Sequence, residues 1–182
     1  MKRVIITPAA LAPAALAELK DWLGITVPAD DAQLAALLRM GLDLCEDFTG
    51  TMPLQQVCEE VLPATAEWTR LTTRPVQAIT SVQGVPAEGP RFALPAGDYR
   101  IELDADGAGR VGTLHPGIAG RVAVRFTAGL AADWSALPEA LRHGVLRLAA
   151  HQYRLREGED QTALPPAAVA ALWRPWRRLR LA

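Results

Sequence analysis

The apolar positions of this chain change spacing three times. From Pro13 to Leu23, Leu16, Leu19 and Leu23 recur at helical intervals, Glu18 and Asp21 lie opposite, and Gly24 supplies a stop. From Asp31 to Thr49, Leu34, Leu37, Leu38, Gly41, Cys45 and Phe48 line one face, and Arg39, Asp43, Glu46 and Asp47 line the other. Asp30 is placed as an N-cap and Gly50 as a left-handed C-cap. The pattern predicts two antiparallel helices over 8–50, preceded by MKRVIIT as a short extended lead-in.

Between Val57 and Gly129 the helical period disappears. VCEEVL, EWTRLTT, AITSVQGV, DYRIELD and RVAVRFTA alternate, β-branched residues are common, and Gly and Pro recur. These features predict a β-rich insertion over 53–130. Helical spacing returns in ALPEALRHGVLRLAAHQYRLREGED, with Pro138 suited to a first turn and Gly158 to a stop. Leu137, Leu141, Val145, Leu148 and Leu155 share one face, and Leu146, Ala149, Ala150 and Tyr153 lie roughly opposite. A helix apolar on two sides is buried on two sides, so 136–158 is read as the central helix. After an acidic linker, Pro165 and Pro166 open a short helix carrying Val169, Leu172 and Trp173, which Pro175 must disrupt. The expected fold class is α+β: an antiparallel α-helical core of about four helices with a β-rich insertion between the second and third. It is expected to form a single domain over 1–182, with a short helix and tail over 165–182.

Composition narrows the function classes. With 182 residues, 50% hydrophobic, 21% charged and a net charge of −1, the chain reads as an ordinary globular protein and not as a dedicated nucleic-acid binder. The charge is uneven. Nine acids face four bases over residues 1–60, and only two of the nineteen bases are lysines, with arginines crowding the C-terminal third. That asymmetry suggests opposite-signed surfaces that steer a partner or self-assembly. The N-terminal run is broken by Pro8 and Pro13 and does not read as a signal peptide, and no stretch reaches a membrane span. Cys45 and Cys58 suggest a reducing compartment, so synthesis in the cytoplasm is expected.

The candidate chemical motifs read as structural. Gly107 to Gly112 matches G-x-G-x-x-G, but Thr113-Leu114-His115-Pro116-Gly117 follows where a dinucleotide site needs a helix, so a hairpin turn is expected. Asp104-Ala105-Asp106-Gly107 resembles the start of a calcium loop, but its glycine comes too early and no closing glutamate follows. His115, His143 and His151 lack ligand spacing. Glu59 and Glu60, adjacent in a strand, face opposite ways and make a poor acid/base pair. No catalytic residues, metal or cofactor are expected. His143, Arg147 and Arg154 share one edge of the central helix, read either as a solvated face or as a subunit contact or DNA-facing surface. The closing WRPWRRLRLA places Trp173, Arg174, Trp176, Arg177, Arg178, Leu179, Arg180 and Leu181 in a segment rich in binding-hot-spot residues, read as a partner-docking tail.

The order of these parts carries a resemblance. LKDWLGITVPADDAQLAALLRMGLDLCEDFTG, RPVQAITSVQGV and VRFTAGLAADWSALPEALRHGVLRLAAHQYRLRE resemble the head–tail connector (adaptor) proteins of tailed phages and gene transfer agents. There a leucine-rich helix, a DDA turn and a closing TG precede a strand ending in aromatic-x-Ala-Gly and a proline-started helix ending in H-x-Y-x-x-R. The resemblance implies a structural protein without catalysis, forming a dodecameric ring beneath the portal in the particle neck after assembly in the bacterial cytoplasm. It further implies that the tail from Trp173 docks into the portal protein. The implied partners are the portal, copies of the same chain, the next tail component (stopper or tail terminator) and non-specific DNA in the lumen, with no membrane. The alternative reading is a DNA-binding regulator using the arginine-rich central helix and tail; a third is a small enzyme with its site in the insertion.

Overall fold

In the computed structural model, residues 3–155 and 165–177 are described. The strands are β1 (Arg3–Thr7), β2 (Gln56–Pro63), β3 (Thr69–Arg70), β4 (Val76–Pro86), β5 (Phe92–Ala93), β6 (Tyr99–Leu103), β7 (Gly109–Thr113) and β8 (Ala119–Ala128). The helices are α1 (Pro13–Leu23), α2 (Asp31–Thr49), α3 (Glu139–Leu155) and α4 (Ala167–Trp173), the last running into a 3-10 turn at Arg174–Trp176. They divide into two units, one from Met1–Ala9 and Gln55–Leu130, the other from Ala10–Leu54 and Ala131–Ala182.

In the β unit, the alternation of Val122, Val124, Phe126 and Ala128 makes β8 the buried middle strand of an antiparallel sheet ordered β1-β2-β8-β4-β5. β2 pairs with β8 without interruption from Gln56↔Ala128 to Pro63↔Arg121. The two adjacent glutamates of β2 take different partners. Glu59 lies opposite Arg125 and also meets Arg91, at 3.8 and 2.7 Å. Glu60 is wholly buried, and its carboxylate accepts hydrogen bonds from the N–H groups of Thr72 and Thr73 at 2.9 Å each and from their hydroxyls at 2.8 and 2.7 Å. A carboxylate can be buried on these terms because four donors replace its water shell.

The second sheet is ordered β3-β7-β6, and the G-x-G-x-x-G stretch lies in its hairpin. Gly107 has φ +77° and closes the β6–β7 turn by donating its N–H to the Asp104 carbonyl at 2.9 Å. Gly109 is needed for space, since a Cβ there would stand 2.8 Å from Leu71 Cδ1. The aspartates of this turn are engaged by arginines: Asp104 with Arg110 at 2.6 Å, and Asp106 with Arg70 and Arg74 at 3.4 and 3.3 Å.

The expected helical core with a β insertion between its second and third helices is not what forms. The eight described strands build two antiparallel sheets in a unit of their own. That unit starts upstream of the first helix, because the lead-in is a strand: Arg3, Val4 and Ile5 pair antiparallel with Glu60, Glu59 and Cys58 of β2. The α1–α2 pair therefore interrupts the β unit as much as the strands interrupt the helices. The physical reason lies in Val4, Ile5 and Ile6, whose β-branched side chains suit a pleated edge and have no helical period.

In the helical unit, α3 packs against α2, α4 and α1. Leu141, Val145, Leu148 and Leu146, Ala149, Ala150 are all buried, as a two-sided helix requires. Gly41 of α2 lets Val145 approach, since a Cβ at Gly41 would stand 3.0 Å from Val145 Cγ1. Gly24 and Gly50 end α1 and α2 in left-handed conformation, at φ +71° and +68°. Asp30 precedes α2 without a side-chain capping bond; its carboxylate instead accepts a short hydrogen bond from the Tyr153 hydroxyl of α3. α3 is described from Glu139 to Leu155. Residues 156–158 of the expected helix lie outside the described residues.

Glu60→Gln is expected to lower the unfolding free energy by about 1.5–3 kcal/mol, because an amide nitrogen would face donors that a carboxylate accepts. Glu59→Gln is expected to cost less than about 1 kcal/mol, since Arg91 and Arg125 are partly solvated. Urea unfolding followed by far-UV circular dichroism measures both; equal losses would show that the four-donor clamp is not what matters.

Candidate interaction surfaces

His143, Arg147 and Arg154 are exposed along one edge of α3, where the spacing placed them. The fold adds Trp22 of α1, 41% exposed, whose ring stands edge-on to the His143 imidazole with centroids 5.2 Å apart and an interplanar angle of 88°. Trp22, Arg147, His151 and Arg154 rim a groove of about 280 Å³ floored by Pro166, Ala168 and Val169. Arg142 reaches Glu18 at 3.8 Å, whereas among the described residues no carboxylate pairs with Arg147 or Arg154. An indole beside two guanidinium groups suits a partner surface that is acidic and partly apolar. Trp22 was absent from the sequence-based surface; its signal was an aromatic residue standing off the Leu16/Leu19/Leu23 stripe.

The C-terminal residues separate into two groups. Trp173 is wholly buried; its Nε1–H donates to the Leu141 carbonyl at 3.3 Å, and its ring lies 6.0 Å from that of Phe48, tilted by 53°. This position depends on Gly144, where a Cβ would stand only 2.1 Å from Trp173 Nε1. After Trp173, Pro175 tightens the chain into the 3-10 turn. Arg174 is exposed and Trp176 is half-buried. Arg177 is exposed and places its guanidinium carbon 5.6 Å above the Phe48 ring. Arg178, Leu179, Arg180 and Leu181 lie outside the described residues. The expected docking strip thus begins with a residue that serves as a core residue of the helical unit. Gly144 is the residue that makes room for it.

Both cysteines are buried. Burial, and secondarily the neighbouring Glu46 carboxylate, push the Cys45 thiol up to about 12. Cys58 is buried in β2, and no disulfide joins the two. Among the described residues, no group of three or more His, Cys, Asp or Glu could hold a metal ion, and no helix is long and apolar enough to cross a membrane.

Exposed tryptophan and arginine side chains are thus what the described helical surface offers. Three solved structures share its fold over 98–100% of its length. A chain in the neck of an empty gene transfer agent particle, determined with C6 symmetry, matches with TM-score 0.80 and 29% identity over 100% of this chain and 98% of its own. One in the virion of a native gene transfer agent particle matches with TM-score 0.78 and 31% identity over 100% and 98%. One in the neck of a native particle with C12 symmetry matches with TM-score 0.74 and 31% identity over 98% and 97%. No family model matches the chain, and no curated protein does. At this identity and coverage the chain belongs to the head–tail connector (adaptor) family of tailed phages and gene transfer agents.

Gly144→Ala gains about 1 kcal/mol of helix propensity but must displace the indole, at an overpacking cost of about 1–3 kcal/mol. A net loss of stability with altered tryptophan emission is expected; a rise in melting temperature would show that Trp173 is not held there. Neither cysteine is expected to react with Ellman's reagent at pH 8 until denaturant is added, because both are buried and burial also disfavours the Cys45 thiolate. Rapid labelling of the native chain would contradict this.

Proposed function

We propose that this chain is the subunit of a head-to-tail connector, a ring beneath the portal of a tailed phage or gene transfer agent particle that joins the DNA-filled head to the tail. The observation that carries this reading is the end-to-end likeness to chains of gene transfer agent necks at about 30% identity. The C6 and C12 symmetry of those necks supports a closed ring of copies, with twelve as the number.

In this reading the portal receives the basic end of the chain. Trp173 anchors that end to its own domain, and the docking residues are Arg174, Trp176 and Arg177 together with Arg178, Leu179, Arg180 and Leu181 beyond them. The alternation of the last four suits strand addition to an exposed portal sheet edge, with the arginines meeting acidic groups. One such segment binds weakly, and repetition around the ring supplies avidity. His143, Arg147 and Arg154, now with Trp22, serve as the contact to the neighbouring subunit or to non-specific DNA in the lumen. The next tail component, a stopper or tail terminator, meets the ring on its far side. Assembly takes place in the bacterial cytoplasm and the mature site is the particle neck.

Truncation should therefore be made after Trp173. Removing residues 174–182 is expected to leave the melting temperature within a few degrees of the full chain and to abolish joining of heads to tails. Trp173→Ala is expected to cost about 3–5 kcal/mol as a buried aromatic truncation. Particle titre and electron microscopy of necks read the outcome. Full titre with the truncated chain would remove the docking assignment. A protein absent from particles that retards DNA fragments on gels would favour the DNA-binding regulator.

A further inference from the structure

Four strands end sheets among the described residues: β1 and β5 in one, β3 and β6 in the other. β3 and β5 are two residues long, whereas β1 and β6 have five each. Both long edges carry aliphatic side chains open to solvent, which on β6 alternate with the exposed Arg100 and Glu102. On β1, Val4, Ile5 and Ile6 are 51%, 41% and 41% exposed, and on β6, Ile101 and Leu103 are 46% and 45% exposed. Val4 and Ile5, adjacent on a strand, stand on opposite faces, so the apolar surface of β1 wraps its edge. Natural edges are usually blunted by lysine, proline or an inward charge, and the Val4–Ile6 run has none of these.

We propose that β1 of one copy pairs with β6 of the next, so that successive subunits of the ring are joined by a continuous sheet. The proposal rests on the ring reading above. A closed ring uses a heterologous contact, in which each chain supplies two different, complementary patches. β1 and β6 meet that requirement: two unlike edges of matched length within one unit, each carrying aliphatic side chains that a paired strand would cover. Pairing satisfies the outward backbone groups of both strands and places Ile5 on the same face of the joined sheet as Ile101 and Leu103, with Val4 and Ile6 on the opposite face. A five-residue strand pair covers far less than the roughly 1,600 Å² of a standard stable interface. Subunits joined this way stay apart in dilute solution and close into a ring only when a template holds them in register.

The test is cross-linking in assembled particles. Because Cys45 and Cys58 are buried, introduced cysteines are the ones a short bis-maleimide reaches. Particles carrying the double variant Ile5→Cys/Ile101→Cys should yield a ladder of covalent multimers, while Ile5→Cys alone and Ile101→Cys alone should each remain monomeric on denaturing gels. Ile5→Lys should reduce neck rings at least tenfold, and Ile101→Glu added to it should restore them. A ring visible at the neck without a ladder overturns the edge pairing and leaves the connector reading standing. Dimers from either single variant overturn it in favour of a two-fold contact. Particles without any ring of this chain remove both readings.

Discussion

The helical unit depends on one missing side chain. At Gly144 the backbone of α3 is bare, and the Trp173 indole occupies the space, donating its N–H to the Leu141 carbonyl at 3.3 Å. Gly41 does the corresponding service on α2 for Val145, the next residue of α3. Two adjacent positions of one helix thus touch two different neighbours at near-contact distance, and that sets the spacing of α2, α3 and α4. Glycine lowers helix propensity at both sites by about 1 kcal/mol, a cost offset by the burial of a tryptophan and a valine. Trp134 shows what the arrangement avoids: equally buried, it has an Nε1–H without an acceptor among the described residues.

Much of this was legible from residue spacing. Periodicity with glycine stops located α1 and α2 to within a residue or two, because those signals are local. Alternation found β2, β4, β6 and β8 for the same reason. What was not legible was long-range. MKRVIIT looks extended in isolation, but its partner β2 is supplied by a segment far along the chain, and nothing near Val4 announces it. β7 was hidden inside a glycine motif that reads as a turn, although its glycines serve a close approach to Leu71 as well as the turn. Trp173 carried the features of a docking residue because the cavity that receives it is created by Gly144, about thirty residues earlier. On the surface, the arginine edge followed directly from helical geometry, whereas Trp22 joined it only through the packing of α1 beside α3.

The two units place their polar groups differently. In the β unit several carboxylates are paired internally: Glu60 with two threonines, Glu59 with two arginines, and the turn residues Asp104 and Asp106 with Arg70, Arg74 and Arg110. That unit also leaves aliphatic side chains outside, at Val4, Ile5, Ile6, Ile101 and Leu103. The helical unit keeps an apolar interior and leaves Arg147, Arg154, Arg174 and Arg177 at its surface. Contacts made through the aliphatic residues would resist salt, and contacts made through the arginines would weaken with it. Surfaces of these two kinds favour different partners, since a partner suited to one is poorly suited to the other.

The interleaving of the units has a consequence for synthesis on the ribosome. β1 is made before β2, the strand it pairs with, which follows only after α1 and α2. At about 5–20 residues per second, several seconds separate the two. During that interval a run of β-branched aliphatic residues has no native partner, on a polysome where identical chains grow side by side. The α1–α2 hairpin, rich in local contacts, forms within microseconds to milliseconds of emerging and shortens the effective loop that β1 must later close. The helical pair thus also serves as a spacer in time, folding in the interval between the synthesis of β1 and that of β2.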